Sequence, residues 1–297
     1  MTKNSNICAV VVTYNRVKML MKCIEHLLSQ EETSCDIMVI DNASTDGTKE
    51  AVSAFRDNPH FVYINTGANL GGAGGFQYGI RTATETGYEY LWVMDDDCMP
   101  TSTALNEFIK ADKKLKGNYG FLSSKALWKD GSICTMNVQR HPMYKPIRNI
   151  EGDLIPATLA SFVSLFFKTE IVRKLGLPIK EFFIWTDDWE YTRRISRHYP
   201  CYVVPNSVVI HESVSNIGAN IATDNMERIN RYRLLYRNDV YMYRREGIRG
   251  FLYELVRLSS HILRVILKAK NNRLRRIGSI INGTIEGFSF NPDIEYV

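Results

Sequence analysis

The sequence predicts an α/β protein with a mostly parallel sheet flanked by helices, followed by a helical C-terminal region. In the first hundred residues, short apolar runs rich in β-branched residues alternate with stretches of helical periodicity, as in βαβ units. Strands this apolar are buried on both faces, which a parallel sheet between two helix layers provides. From about Asn225 onward, the spacing of the apolar residues is helical throughout.

The first two strands and helices follow in order. A strand is predicted in ICAVVVTYNR, ending near Thr13, and a helix in RVKMLMKCIEHLLSQ. A second buried strand in CDIMVIDN ends at Asp41. The stretch STDGTKEAVSAF then starts a helix, for which Ser44 or Thr45 is a suitable N-cap.

The next elements complete the predicted domain. FVYIN and YLWVMDDD predict the third and fourth strands, separated by a helix that runs through Glu85. Residues 117–205 are less regular, with strands expected in SFVSLFFK and CYVVPNSVVIHE and a short helix in EIVRKLG. We therefore divide the chain into an α/β domain, residues 1–224, and a basic helical region, residues 225–297.

Composition sets broad limits on the class of protein. With 297 residues and 45% hydrophobic content, the chain can bury a core of ordinary size. Its six cysteines show no C-x-x-C pair, which suits a reducing compartment better than a disulfide framework. Neither a signal-peptide core nor an apolar run of membrane-spanning length is present, so we expect a soluble cytoplasmic protein.

Charge is unevenly distributed. The net charge is +5, but residues 226–276 contain 14 Lys and Arg against 4 Asp and Glu. A basic C-terminal segment on a mildly acidic body predicts an anionic partner for that segment.

Polar residues are concentrated where predicted strands end. They include Thr13, Tyr14, Asn15, Arg16, Asp41, Asn42, Asp95, Asp96 and Asp97. In open α/β sheets, ligands bind in the crevice at the carboxyl ends of the strands. The sequence therefore predicts a binding site at that edge of the sheet.

The MDDD run is the sharpest local signal. In a strand, Asp95 and Asp97 point to one side and Asp96 to the other. Two carboxylates on one side suit a hard divalent cation that also holds phosphates. A solvated acidic turn, or a cap for a helix after Pro100, is the structural alternative.

A second acidic pair lies in WTDDWEY, residues 185–191. A carboxylate beside apolar rings could have a raised pKa and act as a general base, whereas Asp187 could equally cap the following helix. The tryptophans could stack on a sugar ring or belong to a core. His211, at the end of VVIH, could be a metal ligand or a structural residue.

The glycine stretch NTGANLGGAGGFQYGI fails both standard phosphate-loop patterns. It contains no G-x-x-x-x-G-K-[ST], and no G-x-G-x-x-G follows the first strand. Its glycines could let backbone N–H groups approach a ligand, or they could let the helix pack closely on the sheet. Because the stretch lies between Asp41 and the MDDD run, we interpret it as a wall of low bulk beside a bound ligand.

Six motifs in this order resemble the family-2 inverting glycosyltransferases with a GT-A (Rossmann-like) fold: VVVTYNR, DNASTDGT, NLGGAGGF, WVMDDD, WTDDWEY and VVIHE. They span residues 7–212. Within that family, the chain is most similar to bacterial galactofuranosyltransferases, and rhamnosyltransferases share its RYRLLYRND-like segment. One departure is Thr186, which separates Trp185 from Asp187 where the galactofuranosyl enzymes tend to have W-D-D.

The resemblance implies a role for each matching residue. Donor-binding residues would be Thr13, Arg16, Asp41, Asn42, Asn69, Gly71, Gly72 and Asp96. Asp95, Asp97 and His211 would bind Mn²⁺ or Mg²⁺. Asp188 would be the catalytic base, and Trp185, Asp187 and Trp189 would contact the acceptor.

The resemblance also implies partners. The donor would be UDP-galactofuranose or dTDP-rhamnose, the acceptor a glycan or a polyprenyl-diphosphate-linked glycan, and no nucleic acid is expected. A helical stripe through Phe251, Leu255, Leu258, Ile262 and Val265 could contact an anionic membrane, pack on the core or form a homo-oligomer. The alternative functions are those of a metal-dependent phosphohydrolase and of a non-catalytic nucleotide-sugar binding protein.

Overall fold

The computed structural model describes residues 3–141 and 145–297. Its strands are β1 (Ile7–Thr13), β2 (Asp36–Asp41), β3 (Phe61–Asn65), β4 (Tyr90–Asp95), β5 (Cys98–Pro100), β6 (Leu122–Trp128), β7 (Arg140–His141), β8 (Lys145–Pro146), β9 (Ile155–Pro156), β10 (Leu165–Lys168) and β11 (Tyr202–His211). Its α-helices are α1 (Val17–Leu28), α2 (Thr48–Val52), α3 (Gly71–Thr86), α4 (Ala104–Leu115), α5 (Thr169–Leu175), α6 (Asp187–Ser196), α7 (Met226–Arg244), α8 (Gly247–Lys268) and α9 (Arg273–Ser289).

The main sheet has the strand order β3-β2-β1-β4-β10-β6-β11-β5, with β9 paired to β11. The first four strands are parallel, as predicted. Beyond β4 the sheet is mixed: β10 is antiparallel to both of its neighbours, β11 is parallel to β6, and β5 is antiparallel to β11. The sheet is therefore less parallel than expected. The three-residue strand β5 and the seven-residue strand β6 were not predicted, and a helix after Pro100, which is α4, entered only as an alternative.

Alternate residues of β1 face opposite layers of the core. Ala9 and Val11 pack in a cluster with α1 and α4, whereas Val10 and Val12 pack in a second cluster with α3, α5 and α6. This two-sided burial is the physical reason for the uninterrupted apolar run of β1. The six cysteines are free and buried, in agreement with the absence of a disulfide framework.

The predicted cap of the second helix is wrong. Helix α2 begins only at Thr48, after Gly47, whose φ of 84° is left-handed. Ser44 and Thr45 instead belong to the preceding loop, where the Ser44 hydroxyl accepts a hydrogen bond from the Asn15 N–H and the Thr45 N–H donates to the Asn15 side chain.

The C-terminal region is helical, as predicted, and consists of α7, α8 and α9. These helices surround a cluster that includes Ile229, Tyr232, Tyr236 and Ile280. The predicted stripe on α8 is divided, because Val265 is fully buried in this cluster whereas Phe251 and Leu255 are exposed.

Most glycines of the stretch that opens α3 serve packing, contrary to the predicted low-bulk wall. A Cβ on Gly75 would lie 2.6 Å from Val12, and one on Gly79 would lie 2.5 Å from Val10 and 2.8 Å from Ile40. Helix α3 can therefore contact β1 and β2 only with glycine at these positions. At Gly72, by contrast, no heavy atom of the described chain lies within 4 Å of that point.

We expect Gly79→Ala to destabilise the protein by about 1–3 kcal/mol, because the methyl group would overlap two fully buried β-branched side chains. Urea denaturation measures the change. Gly278→Ala in α9 is the matched control, since an added Cβ there meets no described heavy atom within 4 Å, and we expect a gain of about 0.5–1 kcal/mol. Equal effects of the two substitutions would contradict the packing role of Gly79.

Candidate active site

The polar residues at the strand ends come together as predicted. Strand β1 is hydrogen-bonded between β2 and β4, so Thr13 pairs with Asp41 and Val12 with Asp95 across the sheet. The carboxyl ends of these strands therefore form one edge, which places the side chains of Thr13, Asp41 and the MDDD run beside each other.

Asp95, Asp97 and His211 form the cluster that could hold a metal ion. Each offers one ligand atom, and these atoms lie within 4.8 Å of one another. The arrangement differs from the predicted alternation along a strand: β4 ends at Asp95, and the chain turns at Asp96 and Asp97 into β5. Pairing of β5 with β11, with Cys98 opposite His211, then brings the imidazole to the carboxylates.

The middle carboxylate faces away from this cluster. The Thr13 hydroxyl donates to Asp96 Oδ2 over 2.7 Å, and Arg16 Nη1 lies 3.1 Å from Asp96 Oδ1. The second Arg16 nitrogen lies 2.7 Å from Asp97 Oδ2. Arg16 therefore bridges two of the three aspartates and partly offsets their mutual repulsion.

His211 is held at both ring nitrogens. Its Nε2 lies 3.1 Å from Asp97 Oδ1, and its Nδ1 lies 2.8 Å from Asn137 Oδ1. Burial alone would lower its pKa, but hydrogen bonds to Asp97 and Cys134 and the charges of Asp97 and Asp95 raise the pKa to about 10. In the metal-free protein the imidazole is therefore a cation at neutral pH.

The three aspartates respond differently to burial. Burial raises the pKa of Asp95, and repulsion by Asp97 adds to the rise. Burial raises the pKa of Asp96 to about 7 despite the opposing charge of Arg16. For Asp97, hydrogen bonds and charges from His211 and Arg16 outweigh burial and lower the pKa. Ionising the whole triplet therefore requires more positive charge than Arg16 and His211 provide.

The donor atoms fit a divalent cation. Two carboxylates are hard oxygen ligands, which Mg²⁺ and Mn²⁺ both accept, and an imidazole nitrogen favours Mn²⁺ over Mg²⁺. The hydrogen bond between His211 Nδ1 and the Asn137 side chain leaves Nε2 directed to the carboxylates. In many metal-bound histidines, the ring nitrogen that does not bind the metal is held in the same way. Asn137 was not found from the sequence, because the chain between β6 and β7 carries no motif.

Asp41 and Asn42 lie at the end of β2. Asp41 is fully buried, and its carboxylate accepts from the Tyr63 hydroxyl over 2.5 Å and from the Ser44 N–H over 2.9 Å. Asn42 donates to the Gly71 carbonyl over 2.9 Å, and its buried Oδ1 lacks a hydrogen-bond partner among the described residues. An unsatisfied acceptor at this edge is consistent with a ligand that donates a hydrogen bond there.

The predicted residues of the glycine loop are close by. The Asn69 side chain accepts from the Gly71 N–H over 2.9 Å and so shapes the entry into α3. A Cβ on Gly71 would lie 2.1 Å from the Phe183 carbonyl oxygen. Gly71 therefore lets the segment before α6 approach the start of α3.

Asp187 and Asp188 are the first residues of α6. Burial and the charge of its neighbour raise the pKa of Asp188 well above its usual value, and burial also raises the pKa of Asp187. The charge of Asp95 contributes to both rises, so the pair lies within electrostatic range of the candidate metal cluster. A carboxylate with a raised pKa is suited to accept a proton.

The two tryptophans of WTDDWEY have packing partners. Trp185 lies against the ring of Tyr232, with centroids 5.1 Å apart, and against the guanidinium of Arg228. Trp189 lies 4.8 Å from the guanidinium of Arg140. These contacts account for both rings structurally, and acceptor contact remains a prediction.

Residues 8–121 match the model of glycosyl transferase family 2. The chain carries a family-2 glycosyltransferase domain. The matched segment runs from β1 to the residue before β6, so it contains the Thr13–Arg16 corner, the glycine stretch and the MDDD turn.

Two curated relatives match most of the chain. Galactofuranosyltransferase GlfT1 of Mycolicibacterium smegmatis is 24% identical over 266 residues, which cover 85% of this chain and 87% of the relative. The dTDP-rhamnosyl transferase RfbF of Shigella flexneri is 25% identical over 302 residues, which cover 96% of each. The glycosyltransferase relationship therefore extends well beyond the matched domain.

Solved structures confirm a GT-A-like fold. The crystal structure of S. aureus TarS 1-349 has a TM-score of 0.59 at 14% identity, covering 97% of this chain and 72% of that one. Mannosyltransferase PcManGT from Pyrobaculum calidifontis, in complex with GDP-Man and Mn²⁺, has a TM-score of 0.57 at 18% identity, covering 98% and 77%.

We expect Mn²⁺ to raise the melting temperature of the protein and His211→Asn to remove most of that rise. Because the pKa of metal-free His211 is about 10, the ion must displace a proton at pH 7.5, so binding should tighten as pH rises. Titration calorimetry in buffers of different ionisation enthalpy measures the proton released.

The matched control is His60→Asn. His60 forms a similar pair with Asp36, 2.7 Å apart, at the opposite end of β2. The assigned cluster would be contradicted if both variants lost the rise in melting temperature with Mn²⁺, or if both kept it.

Proposed function

We propose that this protein is an inverting, metal-dependent glycosyltransferase that moves galactofuranose from UDP-galactofuranose to a glycan or lipid-linked acceptor in bacterial cell-surface polysaccharide synthesis. The observation that carries the proposal is the convergence of Asp95, Asp97 and His211 at the strand ends, next to a segment that matches family 2, with the acidic start of α6 within range of the Asp95 charge. The similarity to GlfT1 supports the choice of sugar.

The proposed chemistry uses the chain's residues as follows. Thr13, Arg16, Asp41, Asn42 and Asn69, with Gly71, Gly72 and Asp96, bind the nucleotide and diphosphate of the donor. Asp95, Asp97 and His211 hold Mn²⁺ or Mg²⁺, which neutralises the charge of the leaving diphosphate. Trp185, Asp187 and Trp189 lie on the acceptor side.

Asp188 is the proposed base. Its carboxylate takes the proton of the acceptor hydroxyl while the hydroxyl oxygen attacks the anomeric carbon on the face opposite the leaving group. One in-line displacement inverts the configuration at that carbon. The raised pKa of Asp188 suits this role, because the group binds a proton more strongly than an ordinary aspartate does.

A rhamnosyl transfer from dTDP-rhamnose is the second candidate, and the match to RfbF along 96% of the chain favours it. A thermal-shift screen of UDP-, dTDP- and GDP-sugars with and without Mn²⁺, followed by donor hydrolysis assays, distinguishes the two. Metal-dependent stabilisation by UDP-galactofuranose is expected. Stabilisation by dTDP-rhamnose alone would transfer the proposal to the second sugar, and no response to any nucleotide sugar would overturn both.

We expect Asp188→Asn to abolish transfer while the affinity for donor stays within about twofold, since the change removes a base without removing volume. In the wild type, kcat should rise with pH through a pKa well above that of a free aspartate. Asp187→Asn removes the neighbouring charge, so it should lower the pKa of Asp188 and shift the acidic limb to lower pH. Near-normal turnover of Asp188→Asn would exclude it as the base.

The C-terminal helices supply a surface suited to an anionic membrane on the cytoplasmic side. Large apolar residues at helical spacing are exposed along one face of α8: Ile248, Phe251, Leu252, Leu255, Val256, Leu263, Ile266 and Leu267. Between Gly247 and Ile285 the one acidic residue is Glu254, which is buried and paired with Arg257. The exposed charges of this segment are therefore basic, which favours anionic lipid over a neutral protein surface.

No helix in the described parts of the chain is long and apolar enough to cross a membrane. The exposed face of α8 therefore supports contact along the surface, with its apolar side chains at the boundary between headgroups and acyl chains.

We expect the protein to cosediment with vesicles containing phosphatidylglycerol and to bind phosphatidylcholine vesicles far less. The double variant Leu252→Ser, Val256→Ser should lose this binding, whereas Val214→Ser, which changes an exposed valine elsewhere, should keep it. Retained vesicle binding by the double variant would contradict the assigned face. Dimers of the wild type that the double variant abolishes would assign the face to a second copy instead.

A further inference from the structure

The segment that leads into α6 has an unusual backbone. Phe183, Trp185 and Thr186 have φ values of 63°, 65° and 69°. Each is a bulky or β-branched residue, for which this left-handed region is strained. Three such residues directly before Asp187 and Asp188 need contacts that hold them in place.

One side chain of α7 provides three of those contacts. The Asn238 Nδ2 lies within hydrogen-bonding distance of the carbonyl oxygens of Phe182, Ile184 and Trp185, at 3.0, 3.1 and 3.0 Å. Asn238 is fully buried. Its own carbonyl accepts from Arg237, and this contact fixes the amide with its nitrogen towards the loop.

The next residue of α7 binds the last residue of the segment. Asp239 is buried, and its Oδ1 accepts from the Thr186 hydroxyl over 2.7 Å. Its Oδ2 lies 2.7 Å from Arg257 of α8, and Arg257 in turn pairs with Glu254. Both charges of the Asp239–Arg257 pair are satisfied, so the pair is rigid rather than solvated.

The opposite side of the segment rests on the glycine stretch. The Ala73 N–H donates to the Phe183 carbonyl over 3.2 Å, at the position where Gly71 makes room for it. The segment 182–186 is therefore held between the first turn of α3, which belongs to the family-2 domain, and the Asn238–Asp239 pair of the C-terminal region.

We propose that Asn238 and Asp239 are positioning residues of the active site, which hold the strained segment 182–186 so that Asp188 faces the donor. This inference rests on the role proposed for Asp188. It makes the C-terminal helices part of the catalytic unit. When a catalytic base is displaced by about 1 Å, the rate of the chemical step can fall about a hundredfold. The loss of one ordinary hydrogen bond would lower that rate far less.

The experiment compares Asn238→Ala with Gln30→Ala. Gln30 is the matched control, because its side-chain nitrogen also donates to two backbone carbonyls, those of His26 and Thr101, away from this segment. We expect Asn238→Ala to lower kcat about a hundredfold while the dissociation constant for the donor nucleotide with Mn²⁺ changes by less than about twofold. The control variant should retain kcat.

A second measurement does not depend on activity. Hydrogen exchange followed by mass spectrometry should show faster exchange in peptides covering residues 181–191 for Asn238→Ala, but not for Gln30→Ala. Thr186→Val replaces the hydroxyl with a methyl group and should speed exchange in the same peptides by a smaller amount. Thr186→Ser keeps the hydroxyl and should exchange at the wild-type rate.

The outcomes separate the two proposals. Faster exchange with normal kcat would overturn the positioning role while leaving the transferase intact. Unchanged exchange and unchanged kcat would overturn it as well. If the wild type transfers no sugar but Asn238→Ala still exchanges faster over residues 181–191, the role of Asn238 in holding the segment would be supported and the proposed function would be rejected.

Discussion

The candidate active site is organised around one electrostatic constraint, the repulsion among buried carboxylates. Asp95 ends β4, Asp96 and Asp97 form the turn that follows, and the charge of Asp95 reaches the acidic start of α6. Arg16 and His211 are the nearby cations that pair with the triplet, and the raised pKa values of Asp95 and Asp96 show that the compensation is incomplete. A divalent cation would complete it, which is a physical reason for metal dependence that does not rely on resemblance.

The same constraint explains why residues distant in sequence are needed. His211 reaches the triplet only because β5 turns back and pairs with β11, and its orientation depends on Asn137. The strained segment that leads into the acidic start of α6 is likewise held by distant elements, α3 and α7. These long-range contacts therefore position charged side chains that secondary structure near them in the chain could not position.

Several expectations had the right outcome for a different reason. Asp95 and Asp97 do converge, but through a turn after β4 rather than by strand alternation. The glycine stretch does lie at the candidate site, yet Gly75 and Gly79 serve helix packing and Gly71 accommodates Phe183. Sequence spacing could not distinguish these cases, because glycine is required equally for a ligand and for a neighbouring backbone.

The sequence by itself determined the four parallel strands, the helical C-terminal region and the edge of the sheet where the candidate site lies, because periodicity and strand-end polarity are local signals. Tertiary structure decided the mixed half of the sheet, the partners of His211 and the contacts of Asn238 and Asp239 with segment 182–186. These features join residues that are more than 40 positions apart in the chain, for example Leu165 with Ser123 and Asn238 with Phe182. Such pairings depend on how elements pack in three dimensions, and one sequence carries no local pattern that specifies them.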